Sequence, residues 1–309
     1  MSAAVFDHQP VMVEEIVDAF SSVPSGCILD ATLGGGGHAR ALLDSRSDLS
    51  ILGLDRDETA INAARSALAG FGDRVRFAHM RFDELDQAMG DHGISELSGA
   101  LFDLGVSSHQ FDEGERGFSY RSDAPLDMRM DRREGRSAQH FVNESSEREL
   151  ADLLRDFADE RFAGRIARAI CAARPVGTTT ELAEIIAAAI PAPARRRGGH
   201  PAKRSFQALR IAVNRELEIL PVAIDKAIER TTKGGRIVVL SYHSGEDRIV
   251  KERFRFHSTG GCGCPTDLPC ACGARPTVKI VRSARKPSDS EQMSNPRSSS
   301  ARLRVAEAV

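Results

Sequence analysis

The chain has 309 residues, 41% of them hydrophobic, and a net charge of −2 from 42 basic and 44 acidic side chains. That is enough for one large domain or two ordinary ones, and near-neutrality excludes binding to polyanions through a global basic field. No window reaches the apolar length of a membrane span, no basic-then-apolar leader opens the sequence, and the six cysteines are too uneven for a secreted disulfide framework, so a reduced cytoplasmic protein is expected.

In chain order, Val11 to Phe20 predicts a helix with Val13, Ile16, Val17 and Phe20 on one face. Strands are predicted over Cys27–Ala31, Ile51–Asp55, Arg74–His79 and Ala100–Asp103, with helices over His38–Ser45 and Glu58–Leu68. This βαβαβ order implies a parallel, doubly wound sheet with right-handed crossovers. From Phe111 to Ser137 the chain is polar and without period, and only helices follow. Ser146-x-x-Glu149 and Thr178-x-x-Glu181 are capping boxes that open two of them. The α/β pattern resumes with a helix from Ser205 to Leu220, a strand over Arg236–Ser241, a helix over Glu246–Phe254 and a strand over Val278–Val281. The Ser/Pro-rich stretch 288–300 is expected to be mobile. Two domains follow, an α/β domain over 1–110 and 205–309 and an inserted helical domain over 111–204.

Chemistry concentrates at the predicted strand ends, where open α/β sheets bind ligands. Strand one runs into Asp30-Ala31-Thr32-Leu33-Gly34-Gly35-Gly36-Gly37-His38, a glycine turn that allows positive φ and close backbone approach to a ligand. Strand two ends in Asp55, placed to accept from ribose hydroxyls. Strand three delivers Arg81-Phe82-Asp83, whose ring either stacks on adenine or fills the core. Strand four ends in Asp103, followed by Ser107, Ser108 and Gln110, and the fifth delivers Tyr242-His243-Ser244. The glycines formally satisfy a dinucleotide fingerprint, so an NAD(P)-dependent oxidoreductase is one reading. Asp30 beside them disfavours a pyrophosphate. It suits S-adenosylmethionine, whose amino and sulfonium groups are cationic.

Seven basic residues and no acid lie between Pro191 and Arg215, and eight basic against three acidic residues lie between Arg275 and Val309. Each block is either a solvated face or a restricted footprint for a polyanion such as RNA. Cys262, Cys264, Cys270 and Cys272 fall in one short loop. Cys-x-Cys spacing is tighter than the usual zinc pattern, and a reduced, metal-free loop is the favoured reading, with zinc the alternative.

Several stretches occur together in one order: His8-Gln9-Pro10-Val11-Met12, the Asp30–His38 turn, Asp103-Leu104-Gly105-Val106-Ser107-Ser108, Arg116-Gly117-Phe118-Ser119, Pro125–Met130, Tyr242–Arg248 and Asn295–Arg304. In this the chain resembles the RsmH (MraW) family of bacterial ribosomal RNA cytosine-N4 methyltransferases over nearly its whole length. The resemblance implies a class I, Rossmann-like methyltransferase fold with an inserted helical domain for substrate recognition. It implies S-adenosylmethionine as donor and a decoding-centre cytidine of 16S rRNA as acceptor, with the assembled small ribosomal subunit as partner. No membrane partner is expected, and a homodimer is compatible with this reading. The family's cofactor contacts fall on Gly36, Gly37, His38, Asp55, Phe82, Asp103 and Gln110. Many amino-methyltransferases carry an Asp/Asn-Pro-Pro-aromatic turn after strand four, where Asp103-Leu104-Gly105-Val106 stands here. The catalytic candidates Asp103, Ser107 and His243 therefore rest on position at the strand ends, with Ser108 beside them. A non-catalytic RNA-binding protein that retains the fold is a third reading, against which the glycines, Asp55 and Asp103 speak.

Overall fold

A computed structural model describes residues 10–105, 114–195, 199–265 and 271–309. The chain divides into two compact units, one of residues 1–105 and 217–309 and one of residues 106–216.

The first unit is built on β1 (Gly26–Asp30), β2 (Leu49–Asp55), β3 (Val75–His79), β4 (Leu97–Asp103), β5 (Thr231–Ser241), β6 (Val278–Arg285) and β7 (Arg302–Ala308). They form one sheet in the order β3-β2-β1-β4-β5-β7-β6. Pairs from β3 to β5 are parallel, and β7 runs antiparallel to both β5 and β6. Successive side chains in a strand point to opposite faces, and both faces here are covered. Leu29, Leu52, Phe102 and Val239 pack in one core, and their neighbours Ile28, Ile51, Leu101 and Val238 in the other. Near-continuous apolar runs are what such a doubly covered parallel sheet requires.

Register sets the position of the polar ends. Ile28 lies opposite Ile51 and Gly99, and Asp30 opposite Gly53 and Leu101. Asp30, Asp55 and Asp103 therefore all arrive at the carboxyl edge of adjacent strands β2, β1 and β4.

Two expectations are corrected in this unit. Strand β7 was not foreseen, and the stretch 288–300 expected to be mobile is ordered into a helix (Asp289–Ser294) and a 3-10 turn (Pro296–Ser300). Composition reports local preference, and tertiary contacts override it here. Ser288 caps the helix, Glu291 Oε1 accepts from the Met12 N–H at 2.6 Å, and Ser298 is fully buried. Strand β7 is pinned by Arg304, which donates to both oxygens of Asp247 at 2.8 and 3.0 Å.

The second unit is helical. Ala138–Glu144, Glu147–Ala158, Ala163–Ala173, Thr179–Ala189 and Lys203–Asn214 pack around Leu150, Leu154, Ile166, Leu182, Ile186 and Leu209. Both capping boxes form. The helix read as Ser205–Leu220 breaks at Arg215, which takes φ 53°, and the chain restarts as Glu216–Arg230 with Pro221 in its first turns. Lys203–Asn214 belongs to the helical unit, so the boundary at 204 moves to 216. The reason is burial: Phe206, Ala208, Leu209 and Val213 join the helical core. Among the described residues no helix is long and apolar enough to cross a membrane.

Asn214, 1% exposed, ties that helix to the polar segment before it. Its amide donates to the Met128 and Arg210 carbonyls at 2.8 and 2.9 Å, and its Oδ1 accepts from Met130 N–H at 2.9 Å. Replacing Asn214 with Ala strands buried backbone groups and is expected to cost about 2–4 kcal/mol, read by urea unfolding. A loss within experimental error would show that water replaces the amide.

Candidate active site

The glycine turn has the backbone its sequence demands. Gly34 and Gly36 take φ +52° and +82°, where a side chain is strained. Gly37 opens the helix Gly37–Ser45, and a Cβ there would stand 2.3 Å from Pro10 Cγ. The turn is held by Asp55, whose Oδ2 accepts from Gly34 N–H at 2.8 Å while Oδ1 accepts from Asp57 N–H at 2.9 Å. Each oxygen retains a lone pair for another donor.

His38 sits in the first turn of that helix, 6% exposed, with Nε2 3.3 Å from Asp103 Oδ2. Neither ring nitrogen has a hydrogen-bond partner among the described residues. A buried imidazole whose one close polar contact is the Asp103 carboxylate is incompletely satisfied, and its place among acids makes it a candidate for a ligand site.

Asp103 is fixed from two further sides. Its N–H donates to Thr32 Oγ1 at 2.7 Å, and Tyr242 Oη donates to its Oδ1 at 2.7 Å. That length is typical of a charge-assisted O–H···O⁻ bond. Burial, then the charge and hydrogen bond of Asp103, hold the Tyr242 phenol well above its ordinary pKa, so it stays a donor.

Asp30 is 1% exposed. Burial raises its pKa to about 7; His38 and the Thr32 N–H oppose that rise, while Asp103 and Asp55 add to it. Burial likewise raises Asp55 to about 6, against its hydrogen bonds from Asp57 and Gly34. The site is a nest of desolvated carboxyls that a cationic ligand relieves and a pyrophosphate aggravates.

Phe82 lies in a 3-10 turn after β3, half-buried against the core and edge-on to Phe102 at 6.0 Å. It sits at the boundary between the two roles expected of it. His243, a catalytic candidate by position, has a structural task at a helix start. Its Nδ1 accepts from Glu246 N–H at 3.4 Å, capping the helix Ser244–Thr259, and its Nε2 lies 3.1 Å from Glu246 Oε1. Tyr242, Thr32 and Glu246 were missed. Tyr242, one of only two tyrosines in the chain, stood at the end of strand five beside the chosen histidine. Its signal was position, and the imidazole's reputation outweighed it. Ser107, Ser108 and Gln110 lie outside the described residues.

The basic blocks are partly spent on ion pairs. Arg210 makes a two-pronged pair with Glu216 at 2.8 and 2.9 Å, and Arg204 donates to the Asp159 carbonyl. In the later block, Lys279 pairs with Glu307, Arg285 with Glu15 and Arg304 with Asp247. Three of the eight basic side chains of that block are so engaged.

A parallel sheet closed by an antiparallel β7, a glycine turn and acids at the strand ends define a class I methyltransferase. The chain belongs to the MraW methylase family, whose profile matches residues 5–309. It is 49% identical to the Ribosomal RNA small subunit methyltransferase H of Heliobacterium modesticaldum, over 99% of each chain. It is also 49% identical to the protein of that name from Symbiobacterium thermophilum, over 97% of this chain and 96% of the relative. Among solved structures, an rRNA methylase from Streptococcus thermophilus aligns over 99% of both chains with TM-score 0.43 and 12% identity.

The raised carboxyls predict a pH dependence of stability. A folded-state pKa above the unfolded value means that the native state holds the proton more tightly. The contribution is complete below about pH 4 and is lost as pH rises through 6 to 7. Asp30→Asn keeps the shape without the charge. It is expected to be more stable than the parent at about pH 8, by on the order of a few kcal/mol, with the gap closing at about pH 4. Parallel urea curves at both pH values would refute this.

Proposed function

We propose that this protein transfers a methyl group from S-adenosylmethionine to the exocyclic N4 amine of a cytidine in the decoding centre of 16S rRNA, acting in the cytoplasm on the assembled small subunit. The observation that carries the reading is the cluster of Asp30, Asp55, Asp103 and the buried His38 at one sheet edge, in a chain of this family. When bound, S-adenosylmethionine supplies an electrophilic methyl group on a positive sulfur.

The residues present fit that group. Asp55 has lone pairs for ribose hydroxyls beyond the two N–H groups it already accepts from. Gly36 and Gly37 are assigned to the cofactor by the family resemblance, and Phe82 offers a ring for the adenine. Asp30 and Asp103 match the cationic amino and sulfonium groups, and the same charges argue against an NAD(P) pyrophosphate. Gln110 is assigned to the cofactor by the family resemblance.

The acceptor amine is a poor nucleophile because its lone pair is delocalised into the ring. Holding it in line with the methyl group contributes roughly 7–11 kcal/mol of barrier reduction. Asp103 accepts a hydrogen bond from the amine, localises the lone pair and takes the proton. Tyr242 orients that carboxylate, and Thr32 fixes the Asp103 backbone N–H. Tyr242 occupies Oδ1, which leaves Oδ2, the oxygen beside His38, for the amine. Ser107 is the next candidate for contact with the base. The cytidine leaves its stack to reach this edge, at a cost of a few kcal/mol. The helical unit, with Arg195, Arg196, Arg197 and Lys203, holds the RNA backbone.

Mapping methylated nucleotides in 16S rRNA from a deletion strain tests the reading as a whole; unchanged decoding-centre cytidines would refute it. Asp103→Asn is expected to lower the single-turnover rate by on the order of 10²–10⁴-fold at saturating donor. Full rescue by added donor would assign Asp103 to cofactor binding alone. Replacing Arg195, Arg196 and Arg197 with Ala should weaken RNA binding and reduce the slope of log affinity against log salt by about 0.7–0.9 per lost phosphate contact, with donor affinity intact. An unaltered slope would leave the block a solvated face.

A further inference from the structure

The segment between the helix Ser244–Thr259 and β6 has no part in the chemistry above. Its ends are tightly clamped. Thr277 N–H donates to the His257 carbonyl at 2.9 Å, and the His257 ring meets Thr277 Oγ1 at 2.9 Å. Gly260 takes φ +62°, and a Cβ there would lie 2.3 Å from the Arg275 carbonyl oxygen, so the two backbones are in direct contact. Between these clamps the described residues of 260–265 and 271–277 form no helix or strand, and none is buried. A long segment without secondary structure or core needs something else to hold it.

The clamps bring together three thiols distant in the loop. The sulfurs of Cys262, Cys264 and Cys272 all lie within 4.8 Å of one another, and those of Cys262 and Cys272 are 3.5 Å apart. A disulfide would hold its sulfurs at about 2.05 Å. Thiolates about 2.3 Å from a tetrahedral zinc stand about 3.8 Å from each other. The Cys262–Cys272 edge is close to that spacing, and the other two edges, within 4.8 Å, admit it.

We propose that Cys262, Cys264 and Cys272 bind a zinc ion that staples the loop between the helix Ser244–Thr259 and β6. An all-sulfur donor set selects a soft or borderline cation over magnesium or calcium. Each thiol gives up its proton as its sulfur takes the metal, so binding strengthens with pH. The sequence holds one more cysteine nearby, Cys270, outside the described residues; the site rests on the other three, and the fourth position is left for the experiment to read. The proposal takes up the alternative that the sequence left open, because spacing along the chain carries no information on how the clamps fold it.

The test uses the full chain purified under reducing conditions without chelator. Elemental analysis is expected to find about one zinc per chain, released when a mercurial reagent titrates the thiols in the presence of a chromogenic chelator. Cobalt exchange should give thiolate charge-transfer bands whose intensity counts the sulfur ligands. The double variant Cys262→Ser, Cys272→Ser should retain less than about a tenth of the zinc and become cleavable by protease within 260–277, with donor affinity unchanged. Should that variant fail to fold, the mercurial titration of the parent protein decides. Four outcomes overturn the proposal: no stoichiometric zinc after anaerobic reconstitution, stoichiometric iron and sulfide instead, a Cys262–Cys272 disulfide in non-reduced peptides, or zinc retained by the double variant.

Discussion

The pairing register of β1 with β2 and β4 is the constraint on which the site depends. It carries Asp30, Asp55 and Asp103 to one edge of the sheet, where Asp30 is buried, the other two are partly buried, and Asp55 and Asp30 hold their protons to about pH 6 and 7. Like charges brought together in a low-dielectric place oppose folding. The strands offset that cost through two apolar faces, with Leu29, Phe102 and Val239 on one side and Ile28, Leu101 and Val238 on the other. A shift of one residue would exchange those faces and scatter the acids. Packing that stabilises the sheet therefore also assembles the cluster, and the electrostatic cost left in it is the feature that favours a cationic ligand.

Around that edge a few side chains act at long range in sequence. Tyr242 at the end of β5 reaches Asp103 at the end of β4, and Thr32 from the turn after β1 accepts from Asp103 N–H. Asp103 is thus held at its carboxylate and at its backbone N–H by two segments whose relation to β4 exists only in the folded sheet. Beside it, Glu246 gathers the N–H groups of Tyr242 and His243 at 2.7 and 3.2 Å and secures the start of the helix Ser244–Thr259. A short His-Ser-Gly-Glu sequence thereby aims the neighbouring tyrosine, with its histidine spent on the cap.

The chain leaves the first unit two residues after Asp103 and re-enters it at Leu217, and the helical unit folds around its own core. An insertion with an independent core can vary its surface without disturbing the register that builds the site. Its basic residues are unequal in this respect. Arg210 is committed to Glu216 and Arg204 to a backbone carbonyl, so a count of charges overstates what is open to a polyanion.

The parallel sheet, its strand ends and the inserted helices were legible in the sequence because each rests on local periodicity: apolar runs closed by acids, four glycines before a helix, Ser/Thr-x-x-Glu at helix starts. Asp55, Asp103 and the glycine turn were found by the same logic, since strand ends in such a sheet are where ligands bind. Strand β7, the ordered stretch before it and the boundary at 216 were decided only in three dimensions. Arg302–Ala308 pairs with β5, far from it in the sequence, and with β6, Glu291 reaches back to Met12, and Phe206 joins a core built largely from helices that precede it. The partnership of Tyr242 with Asp103 and the meeting of Cys262 with Cys272 are of that kind too. Periodicity reports how one segment sits on a surface, whereas a contact between two segments depends on the register and clamps that bring them together, and these become defined only as the whole sheet forms.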